Sequence, residues 1–164
     1  MLSKSMEEAL NAQINAELYS AYIYLSMSTY FEANDFPGMA SWMRHQAQEE
    51  VDHAMKFYRY VVDRDGRVTL AAIDAPPTDW KSPLAAFEKA YKHEQHVTGL
   101  INELVAQADE ENDYATRNML DWFVDEQVEE EATASAIVAR LKLIGDNAPG
   151  LIMLDRELGA RGTE

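Results

Sequence analysis

The chain has 164 residues, 47% of them hydrophobic and none of them cysteine, which suits one domain with a sizeable core and excludes disulfide frameworks, zinc ribbons and thiolate clusters. Its formal charge of −15 argues against nucleic acid as a partner and suits cations. The opening Met1-Leu2-Ser3-Lys4 has no apolar signal region, and no apolar run approaches membrane-spanning length, so the expectation is a cytoplasmic protein with no membrane partner.

The first helix is expected from Ser5, with Glu8 completing a capping box. Its heptad seam reads Leu10, Ile14, Glu17, Ala21, Tyr24, Ser28, Phe31. Asn34-Asp35 followed by Pro37-Gly38 marks a turn and a new helix start. The second seam reads Met39, Met43, Ala47, Glu50, Ala54, Phe57, Val61, with His53 beside Glu50. Residues 66–82, which include Ala75-Pro76-Pro77-Thr78, carry no helical pattern, and so long a loop inside a compact domain demands a reason. Extended, it reaches roughly 55–60 Å, against about 42 Å for a helix of about 28 residues. It can cross the full length of a bundle, which makes the second and third helices parallel.

Ser82-Pro83 caps the third helix, whose seam runs through Leu84, Phe87, Tyr91, Glu94, Thr98 and Ile101. After a short turn at Asn112-Asp113 the fourth seam runs through Leu120, Phe123, Gln127, Glu130, Ala134 and Ile137, and Gly145-Asp146-Asn147 ends it. Pro149 opens a last apolar segment over residues 151–158, too short to stand alone, which must dock on the bundle or on another subunit. The fold class expected is all-α. Residues 1–164 form a single domain, a four-helix bundle with a long crossover between helices two and three and a short fifth helix at the C-terminus.

Glu50 and His53, three residues apart, lie on one face of their helix. A shift of 77 positions (94 − 17, 127 − 50, 130 − 53) maps Glu17 onto Glu94, Glu50 onto Gln127 and His53 onto Glu130. The chain therefore reads as two helical hairpins, each with one Glu and then a polar-x-x-polar pair, brought to one mid-bundle level. Four carboxylates in a core cannot stay ionised without counter-charge, since each desolvated ion costs several kcal/mol. No Lys or Arg occupies these seam positions. Bound divalent metals are the remaining solution, and carboxylates with a single imidazole favour Fe, Mn or Mg. The bland alternative is a protonated polar layer that fixes helix register, for which four acids are more than is needed.

Glu17, Glu50-x-x-His53, Glu94 and Glu126-Gln127-x-x-Glu130 together resemble the dinuclear ferroxidase centre of the ferritins, and the likeness covers essentially the whole chain. It is greatest to the bacterial non-haem ferritins. The resemblance implies that Glu17 and His53 are terminal ligands of a first iron, that Glu50 bridges two irons, and that Glu94 holds the second with Gln127 and Glu130 beside it. It implies a third iron site at Glu49, Glu126, Glu129 and Glu130, and a tyrosine, here Tyr24, that hydrogen-bonds near the irons and can supply an electron. Trp122 matches an aromatic near the centre, with packing as its expected role. Glu131 reads as solvated charge, and His45, His93 and His96 as surface histidines without a role.

The function implied is iron storage and detoxification: oxidation of Fe(II) by O₂ and deposition of ferric mineral inside a hollow homo-oligomeric shell of twenty-four subunits. Haem is not expected, because Val51 stands where haem-binding relatives place a methionine and the second motif is Gln127-x-x-Glu130. The family's acidic entry channel is not matched either: Arg117 and Leu120 occupy its positions, with Asp113 and Asp121 nearby. The competing functions are a rubrerythrin-like peroxidase or other diiron oxidase, and a metal-free scaffold bundle. The absence of the four cysteines of a rubredoxin module speaks against the first, and the seam acids speak against the second.

Overall fold

The computed structural model describes residues 1–162, and these form five helices and no strand: α1 (Lys4–Ala33), α2 (Pro37–Asp63), α3 (Pro83–Glu110), α4 (Tyr114–Ile144) and α5 (Ala148–Gly159). Ser3, Ser82, Asp113 and Asn147 each accept a hydrogen bond from the backbone N–H three residues on, and Pro37, Pro83 and Pro149 sit in first turns. The first helix begins earlier than the sequence suggested. Ser3, not Ser5, is the cap, because Ser3 has the extended backbone (φ −65°, ψ 155°) that lets its Oγ reach Met6 N at 2.9 Å. Ser5 is already helical, and Glu8 faces solvent beside Lys4 rather than closing a capping box. The tight connections at Asp35, Asp65 and Asn112 use left-handed backbone, φ 61°, 56° and 54°, which short polar side chains tolerate.

Ser3 donates to Glu111 and Gln107 donates to Ser5, joining the start of α1 to the end of α3. Those two helices run antiparallel. Arg64 after α2 pairs with Asp113 before α4 at 3.1 Å, so α2 and α4 are antiparallel as well. With α1–α2 and α3–α4 as hairpins, α2 and α3 are parallel, as the length of the crossover requires. The crossover lies along α1 in the direction of α1: Asn11 bonds to Arg67 O and Thr69 N, Asn15 to Ala72 O and Ser26 to Pro77 O, and Tyr30 packs edge-on to Trp80. These side chains satisfy loop backbone groups that have no ladder of their own.

The core is two apolar clusters with a polar layer between them. Met27, Phe31, Met43, Phe87 and Ile137 belong to one. Leu10, Phe57, Ile101, Leu120 and Phe123 belong to the other, with Phe57 and Phe123 stacked at 4.0 Å. Helix α5 docks on α2. Asp155 Oδ1 accepts from Met39 N at 2.8 Å and so caps α2, whose own N-cap residue supplies no side-chain bond. Gly38 and Gly159 let the two backbones touch: a Cβ on Gly38 would lie 1.8 Å from Asp155 O. Among the described residues no helix is long and apolar enough to cross a membrane.

Candidate metal centre

The polar layer holds Glu17 from α1, Glu50 and His53 from α2, Glu94 from α3, and Gln127 and Glu130 from α4, none more than 8% exposed. Each helix reaches the layer where its apolar seam is interrupted, so the level of the layer follows from the 77-residue offset and the antiparallel pairing. His53 is the hub. Its Nδ1 lies 3.2 Å from Glu50 Oε2 and 4.0 Å from Glu17 Oε2, and its Nε2 lies 3.8 Å from Glu126 Oε1. Two groups with ligand atoms within 4.8 Å of one another result, Glu17–Glu50–His53 and His53–Glu126–Glu130.

The second hairpin's carboxyls are already hydrogen-bonded, two of their donors coming from the first hairpin. Tyr24, 1% exposed, donates its hydroxyl to Glu94 Oε1, and Gln127 Nε2 donates to Glu94 Oε2 at 3.2 Å. Glu130 Oε2 accepts from Gln46 Nε2 at 2.5 Å. In the first hairpin Glu17 Oε1 accepts from Gln13 Nε2 at 2.8 Å, but Glu17 Oε2 is buried with no hydrogen-bond partner, alone in this among the described side chains. An unpaired buried carboxylate oxygen is costly. Among the described residues no Lys or Arg bonds to Glu17, Glu50, Glu94 or Glu130.

Without a cation the layer therefore holds protons. Burial pushes Glu17 and Glu50 well above the usual carboxylate range, and neighbouring carboxylates push them further. Burial raises Glu130 to about 8, with Glu94 adding to it. Burial raises Glu94 too, held back by the Tyr24 and Gln127 donors. Tyr24 is raised well above its ordinary value by burial and then by Glu94, which keeps its proton on the phenol as a donor. Oxygen donors with one imidazole and one orphan oxygen fit a divalent hard or borderline ion, whose charge would take the place of the carboxyl protons.

The outer acids are not gathered as one set. Glu126 joins His53 and Glu130, whereas Glu49 is paired with Arg161 at 2.5 Å and Glu129 is exposed and belongs to neither group. Asp113 is held by Arg64 and Asp121 by Arg117, and Leu120 is fully buried. Trp122 is partly exposed; it packs on the His53 ring at 5.4 Å and lies 3.4 Å beneath Lys56 Nζ. His93 is not a surface residue. It is 8% exposed, its Nε2 lies 2.7 Å from Ser20 Oγ, and burial with the nearby His96 lowers it to about 4.

Sequence reasoning passed over Gln13, Gln46 and Arg161. Gln13 stands four residues before its partner Glu17, a spacing that places amide and carboxyl on one helix face and was legible, whereas Gln46 bonds across to Glu130 on α4, which no spacing within α2 gives. Nothing in the linear pattern pointed to Arg161, which comes from beyond α5.

Comparison with known proteins agrees with the architecture. Residues 7–144 match the ferritin-like domain that defines the Ferritin family. The chain is 46% identical over 161 residues to a bacterial non-heme ferritin of Bacteroides fragilis, covering 98% of this chain and 100% of the relative. It is 44% identical to one of Campylobacter jejuni, covering 95% and 93%. It superposes with a TM-score of 0.98 and 55% identity on an open pore ferritin from the hyperthermophilic archaeon Archaeoglobus fulgidus, covering 98% of this chain and 99% of that one.

Proposed function

The chain belongs to the ferritin family, and we propose that it is an iron-storing ferroxidase of the cytoplasm, acting as one domain. It oxidises Fe(II) with O₂ in the mid-bundle layer and passes Fe(III) to a mineral inside a homo-oligomeric shell of twenty-four subunits. The observation that carries this reading is Glu17 Oε2, a buried oxygen with no donor in a layer of raised carboxyls that no Lys or Arg neutralises.

In this reading Fe(II) is the substrate and displaces the carboxyl protons. Glu17 and His53 hold the first ion, Glu50 bridges, and Glu94 with Gln127 and Glu130 takes the second. Glu126, with Glu49 and Glu129 on the same flank, receives iron leaving the pair. Tyr24 holds the Glu94 carboxylate in place and is the nearest phenol able to supply an electron. Phe57 and Phe123 close the layer from one side and keep bulk water out.

The test is size and loading. Metal-stripped protein given Fe(II) in air should elute near 450 kDa, roughly 24 × 18.6 kDa, and retain far more iron than its ligating side chains can hold. Elution as a dimer, with oxidation stopping at the bound pair, would instead indicate a rubrerythrin-like peroxidase or another diiron oxidase.

A further inference from the structure

Arg161 joins the C-terminal segment to the metal centre. It follows the end of α5, and Gly162 after it has φ 80°, where a Cβ would lie 2.5 Å from His45 Nε2. This turn lays the guanidinium on the face of α2 formed by Trp42, His45, Gln46 and Glu49. The guanidinium carbon stands 4.8 Å from the centre of the Trp42 ring. Arg161 Nη2 donates to Glu49 Oε2 at 2.5 Å, and Nη1 donates to Gln46 Oε1 at 3.0 Å. Gln46 is 1% exposed, and its Nε2 donates to Glu130 Oε2 at 2.5 Å.

A guanidinium has no acceptor. Gln46 must therefore turn its oxygen to Arg161 and its NH₂ to Glu130, so Arg161 sets the orientation of a buried amide that would otherwise have two. One side chain thus engages two of the proposed iron ligands, Glu49 directly and Glu130 through Gln46. An oxygen accepting a charge-assisted or buried hydrogen bond is less available to a metal.

We propose that Arg161 is a positioning residue that holds Glu49 and Glu130 off metal, so that the sites beyond Glu17–Glu50–His53 bind Fe(II) weakly and release it readily. The proposal rests on the reading of the layer as an iron site. It differs from a simple anchoring role for Arg161, because α5 has anchors of its own: the Asp155–Met39 bond, the Gly38–Gly159 contact and the forked Arg140–Glu157 pair.

The experiment is anaerobic calorimetric titration of the metal-stripped, assembled protein with Fe(II). The wild type should show one strong class of site and weaker ones. Arg161→Gln should tighten the weaker classes by about tenfold and leave the strong class unchanged. Gln46→Leu, which keeps the Arg161–Glu49 pair, should tighten one weaker class only. Arg161→Lys, able to reach Glu49 but not both partners, should fall between Arg161→Gln and the wild type. Weaker classes that stay the same or loosen in both Arg161→Gln and Gln46→Leu would overturn the proposal, as would all classes moving together. A wild type with no strong Fe(II) site would overturn the ferroxidase reading itself, and this proposal with it.

Discussion

The two hairpins present equivalent positions to the layer yet rest differently without metal. In the first, Glu17 has one oxygen unpartnered, 4.0 Å from the His53 ring, while its other oxygen accepts from Gln13. In the second, both Glu94 oxygens accept hydrogen bonds, from Tyr24 and Gln127, and Glu130 accepts one from Gln46. Beyond burial, neighbouring Glu50 drives Glu17 further up against the single Gln13 donor, while the Tyr24 and Gln127 donors hold Glu94 back. The half-site that keeps an unpartnered oxygen gains most from a cation, and the half-site whose carboxyls are already hydrogen-bonded must give up bonds to bind one. Imidazole on the first side and a neutral amide on the second widen the gap. For a storage protein the inequality has a use, since oxidised iron must leave.

The largest effect should come from removing the shared ligand. Glu50→Ala should slow initial Fe(II) oxidation by more than about 100-fold, beyond the 10–100-fold typical of outer-shell partners, while the shell still assembles. Stopped-flow absorbance beside size-exclusion measures both, and a wild-type initial rate would end the bridging role. Next, Tyr24→Phe deletes the donor on Glu94, a ligand of the second half. Oxidation should slow by about tenfold with the first Fe(II) class unchanged in anaerobic titration; a shift in that first class would contradict the separation of the halves.

Glu130→His makes the halves chemically alike. Anaerobic titration should then show two equal strong classes in place of one strong and one weak, and turnover after the first two irons should slow by several-fold, on the order expected for a better-matched ligand. Indistinguishable sites in the native protein would remove the asymmetry.

The smallest effect is on stability against pH. Glu130 rises to about 8 in the folded chain from the ordinary 4.5, and Glu17 and Glu50 rise as well. Between those values the folded chain binds more protons than the unfolded one, so stability falls as pH rises. In chelator, the melting temperature at pH 8 should lie roughly 5 °C below that at pH 6, and saturating metal should abolish the difference. A flat or rising profile in chelator would show that the layer is not protonated.

Much of this was legible in the residues taken in order. The crossover was read from its length alone, because seventeen residues can span what a helix of that size cannot (82 − 66, counted inclusively). The layer was read from acids at seam positions, since a heptad register reports how close each residue comes to the bundle axis. His93 escaped that reading. It stands one position off the α3 seam and is buried against α1, where Ser20 bonds its ring and Tyr19 and Tyr24 pack on it. The cap at Ser3 escaped for a different reason: two serines stood two residues apart, and only the backbone angles distinguish a cap from a first turn.

The chain alone thus determined the helices, the parallel crossover and the set of candidate ligands, all of which depend on local spacing and reach. Tertiary structure decided which of those oxygens are already bonded. Gln46 bonds to α4 rather than to its own helix, Glu49 is claimed by Arg161 from the far end of the chain, and Glu17 keeps one oxygen free. Hydrogen bonds between helices depend on their relative rotation and axial register, and on where α5 docks, none of which any periodicity within one helix records.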